Sequence, residues 1–145
     1  MAVVDFFTAE EKSQIVDSIK KAELNTSGEI RLHVEGKCSG DVLDSAAYWF
    51  KRLKMHETEA RNGVLFYLAV DDHKFAIIGD AGIHAKVEEH FWDSVKEAVL
   101  VNFKEGKFAE GLSEGIEKAG EKLQVYFPYQ KNDENELPDE ISFGK

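Results

Sequence analysis

A carboxylate within a glycine-rich turn is the first feature of the sequence that could do chemistry. Asp80 lies between Gly79 and Ala81-Gly82, and Glu29 opens an alternating segment earlier in the chain. Carboxylates are preferred ligands of Ca²⁺ and Mg²⁺, and main-chain amides at a helix start attract anions. We therefore expect Asp80 and Glu29 to bind a divalent cation. Five turn residues are expected to hold an anionic ligand: Asn62, Gly63, Gly79, Ala81 and Gly82.

The same turn also has a structural interpretation. Asp80 would cap the helix that follows it, because Asp is a favoured N-cap residue. The glycines would serve tight turns that other residues adopt poorly. Both interpretations are compatible with the sequence.

A second group of acidic residues follows two predicted strands. Asp71 and Asp72 come directly after one strand, and Glu35 ends the strand before it. Ligands of open α/β sheets bind at the edge formed by the carboxyl ends of the strands, and adjacent carboxylates attract a cation. Asp71 and Asp72 are therefore the second-choice cation site, with three nearby polar residues: Asp41, Asp44 and His73. A polar hairpin turn and acidic residues at a helix N-terminus would give the same pattern.

Several familiar catalytic patterns are missing from the sequence. It has no G-x-x-x-x-G-K-[ST] phosphate loop, no G-x-G-x-x-G motif and no G-x-S-x-G turn. The five histidines form no H-x-x-x-H pair, and the single cysteine, Cys38, excludes an internal disulfide and a cysteine-rich zinc site. These patterns therefore assign no catalytic residue.

The spacing of apolar residues predicts the elements that position these groups. Four main helices are predicted, over 8–24, 41–54, 84–104 and 108–125. Three strands are predicted, over 29–35, 64–70 and 75–78. A helix crosses between the first two strands, so they should be parallel, whereas a short connection makes the third antiparallel. The expected fold is a three-layer α/β/α sandwich with a small mixed sheet, a parallel pair plus an antiparallel hairpin strand.

Composition restricts the partners and the location. The chain has 145 residues and a formal net charge of −10, so we expect no nucleic-acid partner, since phosphates must be neutralised by Lys and Arg. No apolar run approaches the roughly 20 residues that span a membrane, and we expect a cytoplasmic protein without a membrane segment. Residues 1–127 form the predicted domain. Residues 128–145, with five acidic residues and two lysines, are expected to be a flexible acidic tail.

Three segments, in this order, resemble the TPM-domain family: Ser27–Arg31, Thr58–Ile83 and Phe103–Leu112. Their recognisable parts are an N-G-V-L strand, a G-x-x-G turn and an F-x-x-G-x-F-x-x-G-L segment. The family takes in thylakoid-lumen phosphatase-like proteins, photosystem repair proteins and receptor-modulating membrane proteins. The resemblance covers about residues 5–127.

This resemblance implies a compact α/β/α sandwich, a divalent-cation site and an acid-phosphatase-like activity known from a plant branch. Asn62, Gly63, Gly79 and Gly82 match the family's motif, whereas Asp80 occupies a turn in which relatives vary. Many members carry a signal peptide and a membrane anchor, and we expect this protein to be a soluble variant without either. Membrane-linked roles are therefore not carried over.

Two functions follow as expectations. The first is a soluble binding module that holds Ca²⁺ or Mg²⁺ and engages a protein partner through its acidic tail or an edge of its sheet. The alternative is a metal-dependent, acid-phosphatase-like hydrolase of phosphate monoesters, in which the cation would polarise the phosphoryl oxygens. The sequence offers few Arg or Lys residues near Asp80 to offset the charge of a phosphate.

Overall fold

The computed structural model describes residues 2–129 and 137–145. Within these residues a short 3-10 helix at Val3–Asp5 precedes five α-helices and four strands. The helices are α1 (Ala9–Glu23), α2 (Val42–Arg52), α3 (Ala81–His84), α4 (Asp93–Lys104) and α5 (Phe108–Leu123). The strands are β1 (Glu29–Glu35), β2 (Gly63–Ala69), β3 (Lys74–Gly79) and β4 (Ser142–Phe143).

The four strands form one mixed sheet in the order β3-β2-β1-β4. β1 and β2 are parallel, with Glu29 beside Gly63 and Glu35 beside Ala69, because α2 carries the chain back between them. β2 and β3 are antiparallel and joined by the short turn 70–73, in which His73 has a positive φ of 53°. The predicted parallel pair and antiparallel hairpin strand are both confirmed.

Alternation along β1 divides the core between the two faces of the sheet. Ile30, Leu32 and Val34 lie in the large apolar cluster that also contains residues of α1, α4 and α5. On the opposite face, Tyr67 and Leu65 of β2 belong to smaller clusters that include residues of α2. All seven residues of β2 are buried, as expected for a central strand covered on both sides. The α/β/α arrangement predicted from the sequence is therefore correct.

Local hydrogen bonds explain where the first two helices start. The Thr8 hydroxyl accepts from the Glu11 amide while the Glu11 carboxylate accepts from the Thr8 amide, so the predicted capping box is present. Asp41 caps α2 by accepting from the Leu43 amide at 2.8 Å. Side-chain acceptors encoded next to each helix thus define these boundaries.

The helix predicted over 84–104 is wrong in its first half. The structure has the short α3, then turns at 85–92, and only then α4. Phe91 has helical spacing with Val95, but its ring packs instead in edge-to-face contacts with Trp92 and Tyr126. This tertiary packing overrides the periodicity that suggested one continuous helix.

The C-terminal residues depart from the predicted domain boundary at residue 127. Leu137 is buried in the cluster with Phe50 and Met55, and β4 runs parallel to β1, with Ser142 beside His33 and Phe143 beside Val34. We call residues 137–145 the C-terminal segment. It is part of the sheet rather than a flexible tail, whereas the acidic residues 130–136 lie outside the described part of the chain.

A pair of carboxyl groups lies between α1 and the C-terminal segment. The Glu23 carboxylate accepts from the Ile30 amide at 3.0 Å on the outer side of β1. Burial, followed by the hydrogen bond with the Asp139 side chain, raises the pKa of Glu23 to about 9. We therefore expect Glu23 to be protonated in the folded protein at neutral pH and to donate a hydrogen bond to the Asp139 side chain.

The raised pKa predicts a loss of stability with increasing pH. Between about pH 4.5 and 9 the folded protein holds a proton on Glu23 that the unfolded chain releases, so the free energy of unfolding falls as pH rises through this window. One group contributes at most about 1.4 kcal/mol per pH unit. In Glu23→Gln the amide can still make these hydrogen bonds but has no group that titrates. We therefore expect its stability relative to the wild type to increase from pH 5 to pH 8.

Denaturant unfolding at several pH values measures this difference. Glu10→Gln, in the exposed first turn of the same helix, is the matched control and should follow the wild type at every pH. A Glu23→Gln curve parallel to the wild-type curve would contradict the assignment.

Candidate functional site

The fold brings the first predicted group of site residues together at the amino ends of β1 and β2. The Asn62 side chain donates to Ser27 Oγ at 3.4 Å, and the Asn62 carbonyl accepts from the Glu29 amide at 3.2 Å. The Asp80 amide donates to the Gly63 carbonyl at 3.0 Å. The three loops named from the sequence therefore meet at one edge of the sheet.

The Asp80 carboxylate is already fully engaged within the chain. Arg61 Nε and Nη2 donate to its two oxygens at 2.8 and 2.9 Å, and the Ala81 amide donates at 2.7 Å. Asp80 is only 6% exposed, and its carboxylate raises the pKa of Arg61. A paired, buried carboxylate of this kind stabilises the turn, and a cation would have to displace Arg61.

Glu29 has a structural role at the start of β1, where it contacts the C-terminal segment. It is 3% exposed, and its Oε1 accepts from the Leu137 amide at 2.9 Å. Glu29 thus anchors the start of the C-terminal segment, a partner that lies more than a hundred residues away in sequence. This contact explains why an acidic residue is buried at the first position of the strand.

The glycines of the turn are required by close packing of the main chain. A Cβ at Gly82 would lie 2.2 Å from the Ala60 carbonyl oxygen, and one at Gly63 would lie 2.6 Å from the Met55 carbonyl oxygen. The Gly82 amide donates to Arg61 O at 2.9 Å. The amides of Ala81 and Gly82 are therefore both bonded within the chain and are not free to bind an anionic ligand. This geometry supports the structural interpretation, in which Asp80 caps the helix and the glycines allow a tight turn.

At the carboxyl edge of the sheet, Asp72 is likewise engaged. Its Oδ2 accepts from the Cys38 amide at 2.6 Å. Lys74 Nζ adds bonds of 2.8 Å to the carbonyl oxygens of Cys38 and Gly40. The β2–β3 hairpin therefore holds the turn that leads from β1 into α2, and Asp72 provides one of the hydrogen bonds between them.

Asp71 differs from the other three predicted ligands. Within residues 2–129 and 137–145, no hydrogen-bond donor contacts its carboxylate, and it lines a cleft of about 650 Å³. A Cβ built at Gly36 would lie 3.0 Å from Asp71 Oδ2 and 3.2 Å from the main-chain oxygen of Lys145. Two oxygen atoms thus flank Gly36, whose lack of a side chain leaves room between them.

The cleft is amphipathic. Its lining consists of Ala2, Val3, Phe6, Gly36, Lys37, Val70, Asp71 and Lys145. Of these residues only Asp71 was predicted from the sequence as a ligand, and Ala2, Val3, Phe6 and Lys145 come from the two ends of the chain and join the others only in the fold. Lys37 is the charged lining residue that its position in the sequence indicates, because it lies two residues after the end of β1.

The described residues contain no group of three or more His, Cys, Asp or Glu side chains placed to hold a metal ion. Asp71 therefore fits a cation only as one carboxylate supplemented by main-chain oxygens and water. Mg²⁺ commonly keeps several waters in this way, and Ca²⁺ accepts carbonyl and water ligands.

The packing of Gly82 leads to a direct test of the structural interpretation. We expect Gly82→Ala to destabilise the protein by about 1–3 kcal/mol or more, because the new methyl group overlaps main-chain oxygens that cannot rotate away. Gly40→Ala is the matched control, since no atom lies within 4 Å of the position that its methyl group would take. Equal stability of the two variants in urea unfolding would show that the turn is not constrained in this way.

Comparison with known proteins shows close structural relatives. The NMR structure of the BA42 protein from the psychrophilic bacterium Bizionia argentinensis has 52% sequence identity and a TM-score of 0.91, with 96% of each chain covered. The N-terminal domain of a protein from P. gingivalis has 15% identity and a TM-score of 0.69, covering 87% of this chain and 82% of that one. No curated protein matches the chain.

A third relative, the N-terminal domain of the cg2496 protein from Corynebacterium glutamicum, has 11% identity and a TM-score of 0.62, with coverage of 97% and 82%. The two distant structures share the fold alone. None of the helices in the described residues combines the length and apolar character needed to cross a membrane. The family model of the TPM domain matches residues 3–122, and the chain therefore belongs to the TPM domain family.

Proposed function

We propose that this TPM domain is a binding module that takes a divalent cation, Ca²⁺ or Mg²⁺, at Asp71 and engages a protein partner. The observation that carries the proposal is the contrast among the four predicted carboxylates. Asp80, Glu29 and Asp72 each accept short hydrogen bonds from the chain itself, whereas Asp71 faces a cleft without such a bond from any described residue.

The local charge sets the expected strength of binding. Lys37 and Lys145 line the same cleft as Asp71, and positive charge nearby weakens the attraction of a carboxylate for a cation. A site with one carboxylate and several waters belongs at the weak end of protein calcium sites, with a Kd on the order of 10⁻³ M. Such a site responds to an environment rich in Ca²⁺ or Mg²⁺.

The partner of the module is proposed to be basic, because the chain carries a formal net charge of −10. One candidate surface is the edge of the sheet at β3, the end strand on the side away from β4, because an end strand presents main-chain groups to a partner. The other candidate is the acidic tail expected from the sequence, whose residues 130–136 lie outside the described part of the chain.

Titration of the full chain with Ca²⁺ and then Mg²⁺, followed by backbone amide shifts, tests the cation site. We expect saturable shifts at 35–37 and 70–72 in the millimolar range. Asp71→Asn should weaken binding at least tenfold, because a neutral amide replaces the one carboxylate. Asp44→Asn, an exposed acid in the first turn of α2, is the matched control and should bind like the wild type.

Shifts concentrated at 27–29, 62–63 and 79–84 would instead assign the cation to the loops around Asp80. Shifts without saturation would contradict a specific site in either place.

One observation favours a second candidate function, hydrolysis of phosphate monoesters. Lys37 and Lys145 line the cleft with Asp71, so two cationic side chains stand beside the proposed cation ligand. When bound, a divalent cation supplies Lewis-acid polarisation of a phosphoryl oxygen, and the lysines would bind the remaining phosphate charge.

An assay with p-nitrophenyl phosphate near pH 5, with and without Mg²⁺, tests this alternative. Activity from this cleft should fall at least tenfold in Asp71→Asn and in Lys37→Met, with Asp44→Asn unchanged. Hydrolysis that is insensitive to both substitutions would exclude the cleft as its source.

A further inference from the structure

A row of polar side chains crosses the sheet on the face that α2 covers. Alternation along β1 puts Arg31, His33 and Glu35 on this one face. The register places Tyr67 of β2 on one side of His33 and Ser142 of β4 on the other. A hydroxyl, an imidazole and a carboxylate from distant parts of the chain thus become neighbours.

The hydrogen bonds along this row fix the protonation of the imidazole. Tyr67 Oη donates to Glu35 Oε2, and His33 Nε2 lies 3.4 Å from Glu35 Oε1. Because an ionised carboxylate only accepts hydrogen bonds, the His33 proton belongs on Nε2. Nδ1 is then an acceptor, and it lies 2.9 Å from Ser142 Oγ, which donates to it.

The surroundings hold the imidazole in this orientation. The His33 ring stacks on Trp49 with a centroid separation of 3.9 Å, and its side chain is completely buried. Burial lowers the pKa of His33, so the ring is neutral at pH 7. Ser142 is only half-buried, at the outer strand of the sheet.

From this geometry we propose that Ser142 is an activated nucleophile that takes acyl groups from activated esters, with His33 as its general base. Glu35 is a positioning residue that keeps the proton on His33 Nε2. A hydroxyl hydrogen-bonded to a base that a carboxylate orients in turn is the constellation used in acyl transfer. This site is separate from the Asp71 cleft and does not rest on the function proposed there.

The proposed step balances as an ordinary acyl transfer. Ser142 Oγ forms a bond to the ester carbonyl carbon while its proton moves to His33 Nδ1. The bond from that carbon to the leaving oxygen then breaks, and the leaving oxygen takes the proton from Nδ1. Water repeats the sequence to release the carboxylic acid and restore the serine.

The test uses the full chain and p-nitrophenyl acetate, with peptide mass spectrometry to locate acetyl groups. We expect Ser142 to be acetylated roughly a hundredfold faster than Ser94, which matches the contribution of a positioned general base. Ser94 is a suitable internal reference because it is also half-buried and its hydroxyl oxygen accepts a bond from Lys122 Nζ instead of donating to a histidine. Acetylation of Ser142 no faster than of Ser94 would overturn the proposal without any variant.

Variants then separate the proposed chemistry from a purely structural role. His33→Gln should lower the rate at Ser142 roughly a hundredfold, and the wild-type rate should rise with pH through the ionisation of His33 and then level off. His73→Gln, in the exposed β2–β3 turn, is the matched control and should leave the rate unchanged.

Hydrogen exchange of the Gly144 amide, which donates to Val34 O at 2.8 Å, reports whether β4 stays docked in His33→Gln. A wild-type rate at Ser142 in a docked His33→Gln protein would exclude His33 as the base.

Discussion

Polar side chains on one face of β1 impose the constraint on which the rest of the structure depends. Glu29, Arg31, His33 and Glu35 alternate with apolar residues and are buried or half-buried, and an unsatisfied buried polar group costs about 1–3 kcal/mol. Three of the four find their partners in the C-terminal segment. They are the Leu137 amide, the Glu140 carbonyl and the Ser142 hydroxyl.

The C-terminal segment therefore completes the domain instead of trailing from it. It supplies these partners, covers the outer side of β1 with β4, and ends beside Gly36, whose amide donates to Lys145 O at 2.8 Å. Through that last contact it also helps to form the cleft that contains Asp71. This segment contributes Lys145 to the cleft of the proposed cation site and Ser142 to the Ser142–His33–Glu35 row.

The polar side chains at the two ends of the sheet differ in their surroundings. At the amino ends of β1 and β2 the Asp80–Arg61 pair and the glycines Gly63 and Gly82 let loops pack closely, and their polar groups are used up in doing so. At the carboxyl ends a carboxylate and two lysines, Asp71, Lys37 and Lys145, line a cleft.

The sequence by itself determined the elements whose signals are local. The capping box at Thr8 placed α1, alternation placed β1 at Glu29–Glu35, and the short hairpin fixed the direction of β3. The order and directions of the strands also predicted that the loops around Glu29, Asn62 and Asp80 meet at one edge of the sheet. Only the tertiary structure decided which of those carboxylates accept hydrogen bonds from the described part of the chain, because Arg61, Cys38 and Leu137 are remote partners that no spacing encodes. The break between α3 and α4 and the docking of β4 were decided in the same way, by aromatic packing at Phe91 and by the buried polar face of β1.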